Sequence, residues 1–160
     1  MTIKPGDAIP EAKLMQATGQ GPQEVSTREL FAGRTVVLFG VPGAFTPTCS
    51  AKHLPGFVSQ AAALKAKGAD AIACIAVNDV FVMGAWGKDQ GVGEDVMMLA
   101  DGSGAFIKAL GLEFDLSARG LGIRSQRFVL VAKDGKVSHV AVEAPGAFEV
   151  SSAESALAAL

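Results

Sequence analysis

The run Thr35-Val36-Val37-Leu38-Phe39-Gly40 is wholly apolar after its first residue, and it leads through Val41-Pro42-Gly43-Ala44-Phe45 directly into a helical pattern. A strand without polar alternation is buried on both faces, so residues 35–41 demand a sheet covered on two sides. Ala71 to Val77 is a second strand of this kind, and Val96-Met97-Met98-Leu99 is a third. Gln126 to Ala132 and Lys136 to Val142 read as strands joined by Lys133-Asp134-Gly135, whose Asp-Gly pair favours a tight hairpin.

Helical patterns separate these strands. From Pro47 to Lys67, Leu54, Phe57, Val58, Ala61 and Leu64 keep helical spacing. Pro55 lies inside that helix and should kink it, because it removes a hydrogen bond and clashes with the preceding turn. The first turn is thereby set apart and free to unwind locally. Asn78-Asp79 cap a helix carrying Met83 and Trp86, and residues 103–110 form a short helix. Ser151 and Glu154 have capping-box spacing and open a terminal helix rich in Ala and Leu. Residues 1–34 hold short strand-like pieces around a Gly19-Gln20-Gly21-Pro22 turn, then a helix opened by the capping-box pair Ser26 and Glu29. Strands alternating with helices, then a hairpin, then a helix, predict an α/β sandwich with a mixed central sheet flanked by helices. With 160 residues and neither repeat nor linker, a single domain spanning 1–160 is expected.

Composition narrows the function. A net charge of −2 with interspersed signs points to neither nucleic acid nor an anionic membrane. No run approaches the ~20 apolar residues of a spanning helix. The N-terminal residues Met1 to Asp7 carry no hydrophobic or Arg-rich targeting pattern, so a cytoplasmic location is expected unless an organelle presequence has been removed. Cys49 and Cys74 are the only cysteines, too few for a secreted disulfide framework.

The junction between the first apolar strand and its helix carries the chemistry. Thr46 is a good N-cap, and Pro47 falls at the first helical position, where its missing N–H costs nothing. Cys49 is then the third helical residue, beside unpaired N–H groups and the positive end of the helix dipole. A thiol so placed ionises more readily, and the thiolate is the nucleophilic form. Cys49 is the candidate reactive atom; the plainer alternative is a small buried hydrophobe.

Pro42, Thr46 and Cys49 form the pattern Pro-x-x-x-Thr-x-x-Cys, which resembles the active-site signature of the peroxiredoxins. The string Pro-Gly-Ala-Phe-Thr-Pro-Thr-Cys-Ser resembles one branch, the atypical type II (type 5) subfamily. Lys52-His53-Leu54-Pro55-Gly56-Phe57, Ala76-Val77-Asn78-Asp79, Phe81-Val82-Met83, Trp86 and Arg124-Ser125-Gln126-Arg127-Phe128 extend the match over nearly the whole chain, weakening toward its C-terminus. The resemblance implies a thioredoxin-like fold. It also implies a thiol-dependent peroxidase for hydrogen peroxide and small alkyl hydroperoxides, working without cofactor or metal.

Such chemistry needs an ionised sulfur, a slot for two oxygens and donors aimed at the oxygen that leaves. By resemblance these roles fall on Cys49, on Thr46, Arg127 and the Cys49 N–H, with Pro42 shielding the site from water. The implied fold runs the strand of Arg127 antiparallel to 35–41, starting its side chain near Cys49. An arginine stays protonated and favours a neighbouring thiolate. Gly43, Phe45, His53 and Phe128 are expected around the pocket, with Phe45 and Phe128 as an apolar rim. Arg124 competes for the charge role but reads better as a surface or structural residue.

His53 lies four positions after Cys49, on the same helix face. It could act as a base for the sulfur, but a pocket-wall residue with a local hydrogen bond is the preferred reading, since the helix end and an arginine already suffice. His139 reads as a satisfied core or surface histidine. Cys74, mid-strand among Ile and Ala, reads as buried and inert. Some relatives resolve the oxidised cysteine with a second one near the C-terminus, whereas Pro145 to Leu160 contains none. Cys74 is the only internal alternative, so one-cysteine turnover is expected. The sulfenic acid on Cys49 would be recycled by an external thiol, glutaredoxin with glutathione or thioredoxin. The resemblance also suggests a homodimer with Phe45 and Trp86 among its contacts.

Other readings carry less. Gly102-Ser103-Gly104 lacks the third glycine of a dinucleotide loop, with Ile107 in its place. Cys49, His53, Cys74 and His139 match no zinc spacing. A disulfide oxidoreductase would need a CxxC pair, and positions 46 and 52 are Thr46 and Lys52. A redox sensor or chaperone-like module switched by Cys49 oxidation is the alternative function.

Overall fold

The computed structural model describes all 160 residues. Its main strands are β1 (Lys13–Thr18), β2 (Gly21–Ser26), β3 (Thr35–Gly40), β4 (Ala71–Ala76) and β5 (Met97–Ala100), followed by β8 (Phe128–Lys133) and β9 (Lys136–Val142). They form one seven-stranded sheet in the order β2-β1-β5-β4-β3-β8-β9. The three central strands β3, β4 and β5 are parallel, while β8 runs antiparallel to β3, so the mixed sheet expected from the sequence is present. Between β5 and β8, the short strands β6 (Glu113–Asp115) and β7 (Ile123–Ser125) pair as a separate ribbon. Three-residue strands leave no readable periodicity, and the sequence gives no sign of this ribbon.

Five α-helices cover the sheet: α1 (Thr27–Phe31), α2 (Leu54–Ala66), α3 (Val80–Asp89), α4 (Ala105–Leu110) and α5 (Ala153–Ala159). Side chains alternate across each strand, so the sheet divides the interior into two cores. On one side Val37, Phe39, Cys74, Met98, Val129 and Val131 meet α2, α3 and α5. On the other, Val36, Leu38, Ala73, Ile75, Phe128 and Leu130 meet α1 and α4. The apolar runs read from the sequence are these double-faced strands.

Several boundaries move for local reasons. Gln126 does not join β8, because its N–H donates to the Leu112 carbonyl. The helix expected at 103 begins at Ala105, after Gly104 takes a left-handed φ of 76° and the Asp101 carboxylate accepts the N–H groups of Phe106 and Ile107. The terminal helix is capped by Ser152, not Ser151, with the Ser152 hydroxyl accepting the Ser155 N–H. Ser151 is buried and engaged with Glu143 instead.

Candidate active site

Beyond Gly40 the chain turns through a tightly held loop before its helix. Phe45 sits there with a φ of 62°, a left-handed conformation that costs a non-glycine residue roughly 1–2 kcal/mol. The loop is fixed from three sides. The Ala44 N–H donates to the Asn78 side chain at 3.0 Å. Arg124 donates to the Pro42 carbonyl at 3.4 Å and to the Leu121 carbonyl at 2.8 Å. Thr46 donates its hydroxyl to the Gly43 carbonyl at 2.7 Å. A Cβ at Gly43 would lie 2.8 Å from Arg124 Nη1, so glycine is what admits that guanidinium. Arg124 is therefore a structural clasp. Thr46 departs from its expected cap because no helical N–H donates to its hydroxyl oxygen; its proton goes to the Gly43 carbonyl and the oxygen is left free to accept.

Pro47 is the first helical residue, and the Ser50 N–H closes the turn onto the Thr46 carbonyl at 2.9 Å. The disturbance expected at Pro55 takes the form of a π-helical turn over Cys49–His53, in which the Leu54 N–H reaches back to the Cys49 carbonyl. Pro55 has no N–H to give the regular ladder, and the wider turn absorbs the defect; such π turns cluster at functional sites. Trp86 of α3 steadies this turn by donating its indole N–H to the Ser50 hydroxyl at 3.0 Å.

Cys49 lies beyond the loop in the first turn of the helix, as expected from the sequence, and is 0% exposed. It belongs to the core on the α2 and α3 side of the sheet, with buried Val41 in the same cluster and half-buried Ala44 packed against it. The Cys49 N–H donates to no carbonyl. Arg127, immediately before β8, sends its guanidinium across the sheet end: Nη2 donates to Cys49 Sγ at 3.1 Å and Nη1 to His53 Nδ1 at 2.9 Å. Because arginine only donates, Nδ1 accepts, and Nε2 carries the proton that His53 gives the Ser151 carbonyl at 2.8 Å. The ring packs among Phe39, Phe57 and Phe148, at centroid distances of 4.9, 5.6 and 5.0 Å. Phe148 also lies 6.0 Å from the Arg127 guanidinium carbon.

Burial, reinforced by the Arg127 charge, lowers the His53 pKa to about 3, against the opposing pull of the Ser151 carbonyl and the Glu143 carboxylate. A neutral ring with both nitrogens engaged has nothing to offer a thiol proton, so the base reading of His53 does not fit its geometry. A pH dependence follows. The unfolded ring takes up a proton near pH 6.5 and the folded ring only near pH 3, so the unfolded state binds more protons in between. Stability therefore falls as pH drops through that window, by about 1.4 kcal/mol per pH unit from this one group. Urea titrations at pH 6.5 and pH 5 should differ by about 2 kcal/mol from it, and His53→Gln should remove that part of the slope. An unaltered slope in the variant would refute this origin.

Phe128 is not at the pocket. Arg127 points to the Cys49 side of the sheet end, and strand alternation sends Phe128 to the opposite core. Its ring covers Gly40, its register partner, where a Cβ would come within 2.0 Å. Phe45 does lie at the rim, 53% exposed and 6.5 Å from the Trp86 ring. Cys74 is fully buried on the same side of the sheet as Cys49, and both cysteines are free. Burial pushes the Cys74 thiol up, the neighbouring Cys49 adds to this, and Arg127 opposes it. His139 is not satisfied as expected: its buried Nε2 has no hydrogen-bond partner. Sequence reasoning also missed Phe148 and the Ser151 carbonyl, which lie in a segment without periodicity, and Asn78, which it read only as a helix cap.

The chain matches the Redoxin family over residues 4–157. It is 54% identical over 156 residues to peroxiredoxin-2C of Oryza sativa subsp. japonica, covering 97% of this chain and 96% of that one. Peroxiredoxin-2E, chloroplastic, of Arabidopsis thaliana is 51% identical over 164 residues, which cover 99% of this chain and 70% of the relative. Among solved structures, reduced Prx3 of Vibrio vulnificus in complex with hydrogen peroxide superposes with a TM-score of 0.94 at 53% identity, covering 99% of each chain. A shared fold, a shared length and half of all residues in common leave one conclusion: the chain belongs to the Redoxin family, among its peroxiredoxins.

Proposed function

We propose that this protein is a thiol-dependent peroxidase in which Cys49 attacks hydrogen peroxide and small alkyl hydroperoxides. The observation that carries the reading is the Arg127 Nη2 donor 3.1 Å from Cys49 Sγ, at the first turn of a helix. The sulfur anion attacks one peroxide oxygen, an S–O bond forms as the O–O bond breaks, and the departing oxygen takes a proton and leaves as water or an alcohol. Charge passes from sulfur to that oxygen, and Arg127 and the Cys49 N–H are the donors placed to follow it. Thr46, with its own proton held by Gly43, accepts the O–H of the incoming peroxide. Pro42 shields the sulfur, Gly43 and Phe45 shape the entrance, and His53 holds the guanidinium. The complex of the Vibrio relative with hydrogen peroxide supports this substrate class.

The oxidised sulfur is then a sulfenic acid. An external thiol attacks it, water leaves, and a second thiol releases the protein from the mixed disulfide. Glutaredoxin with glutathione, or thioredoxin, fits this step, because no cysteine follows Cys74 and Cys74 is buried. The buried sulfur needs the Cys49–His53 turn to open for that exchange, and a π turn is a weak point at which to open. The protein acts as a homodimer through the loop that carries exposed Phe45, in the cytoplasm or in an organelle like its chloroplastic relative. No helix is long and apolar enough to cross a membrane.

Supplying peroxide with glutathione and glutaredoxin, or with thioredoxin and its reductase, should give many turnovers with at least one system. Oxidation that stops after one equivalent would instead favour the sensor reading. Cys74→Ser should leave the peroxide half-reaction near wild type; blocked recycling in that variant would overturn one-cysteine turnover.

A further inference from the structure

Six polar or charged residues are buried in this protein, and three of them, His53, Glu143 and Ser151, fall in one connected chain of hydrogen bonds that ends at Cys49. Glu143 follows β9, where its N–H is tied to the Arg127 carbonyl at 2.9 Å. Its carboxylate is wrapped by the next segment of chain. Oε2 accepts the backbone N–H groups of Glu149, Val150 and Ser151 at 2.9, 2.8 and 2.8 Å, and the Ser151 hydroxyl at 2.6 Å; Oε1 shares the Glu149 N–H at 2.9 Å. Burying a carboxylate is costly unless every lone pair is met, and here the bent backbone supplies the donors.

The consequence reaches the sulfur. A backbone bent around Glu143 holds the Ser151 carbonyl 2.8 Å from His53 Nε2. That acceptor fixes the proton on Nε2 and leaves Nδ1 as the only site that Arg127 Nη1 meets, at 2.9 Å. The same segment carries Phe148 against both the His53 ring and the guanidinium. With one arm of the arginine fork anchored, the other is aimed at Sγ. We propose that Glu143 is a positioning residue for Cys49, acting by folding residues 144–151 so that Ser151 fixes the His53 tautomer and His53 fixes Arg127. The carboxylate touches neither sulfur nor substrate; its effect is on where the guanidinium stands.

Glu143→Gln is the direct test, made in a Cys74→Ser background so that Cys49 is the only thiol. The amide keeps the shape but sets an N–H₂ against backbone donors. The His53 ring nitrogens should lose the NMR pattern of a single Nε2–H tautomer. Alkylation of Cys49 by iodoacetamide at neutral pH should slow by about fivefold, the usual scale for coupling within one hydrogen-bond network. Glu149→Gln removes a charge from the same segment without touching a side-chain contact and should match the background protein. Ser151→Ala removes one of the donors to Glu143 while keeping the Ser151 carbonyl, and should move both readouts the same way by less. It decides the matter if Glu143→Gln does not fold. A folded Glu143→Gln protein with the parent ring spectrum and alkylation rate overturns the proposal, as does an unchanged Ser151→Ala where that variant decides. The proposal deepens the peroxidase reading, but the alkylation and NMR arms need no peroxide. Absent peroxide turnover in the wild type would count against that reading alone.

Discussion

Peroxide consumption is expected to fall to the uncatalysed background when Cys49 is replaced by serine, a loss on the order of 10⁴-fold or more. The substitution removes one property. A serine Oγ occupies nearly the same place, in reach of the Arg127 donor now 3.1 Å from the sulfur. The strained loop, the π turn and the guanidinium fork all remain. What disappears is a sulfur whose anion attacks a weak O–O bond; a hydroxyl at the same site is a far poorer nucleophile. Stopped-flow mixing with hydrogen peroxide, monitored by peroxide loss, reads the effect directly. Far-UV circular dichroism and a thermal melt show whether the fold is kept. A folded Cys49→Ser protein that retains even a hundredth of the wild-type rate would place the chemistry elsewhere, with Cys74 the only other thiol. Because Cys74 is fully buried mid-strand with its thiol pushed up, that outcome is not expected.

The parts of this molecule that a linear reading reaches are those in which neighbouring residues act together. The β3 and β4 runs are buried on both faces because every residue along them after Thr35 is apolar, and that is visible without a structure. The Asp134-Gly135 hairpin, the Ser26 cap and the Asp79 cap are likewise local matters. Arg127 and Cys49 were paired through resemblance to a family, since nothing local joins two residues 78 positions apart. Phe128 shows the limit of adjacency. It follows Arg127 directly, yet strand alternation sends it to the far core to cover Gly40. The Glu143 clamp was invisible for a different reason. Its donors are mainly backbone N–H groups, which every residue but proline has, so no side-chain pattern announces them. Thr46 was found in its expected position, but its hydroxyl donates to the Gly43 carbonyl and accepts no helical N–H, a loop contact that cap spacing does not announce.

Arg127 should be the second residue whose loss nearly stops the reaction. Arg127→Gln is expected to lower kcat/KM for hydrogen peroxide by about 10²–10³-fold, the scale seen when one donor to a developing oxyanion is removed. The guanidinium has two separate tasks, because one nitrogen meets Sγ and the other meets His53 Nδ1. Lysine can perform only one of them. Its ammonium is a compact charge on a flexible stem, without the planar fork that spans both partners. Arg127→Lys should therefore fall between glutamine and wild type. Whichever partner it abandons is left buried and unpaired, a cost of about 1–3 kcal/mol if that partner is the imidazole nitrogen. His53 provides a second readout that separates charge from geometry. The Arg127 charge is one of the two causes that hold the His53 pKa near 3, burial being the larger. Removing the charge in Arg127→Gln should move the ring's titration to higher pH, while Arg127→Lys should move it less. If Arg127→Lys keeps the full peroxide rate, a point charge suffices and the fork is not needed. If Arg127→Gln keeps more than about a tenth of it, the arginine is not the donor on which O–O cleavage depends.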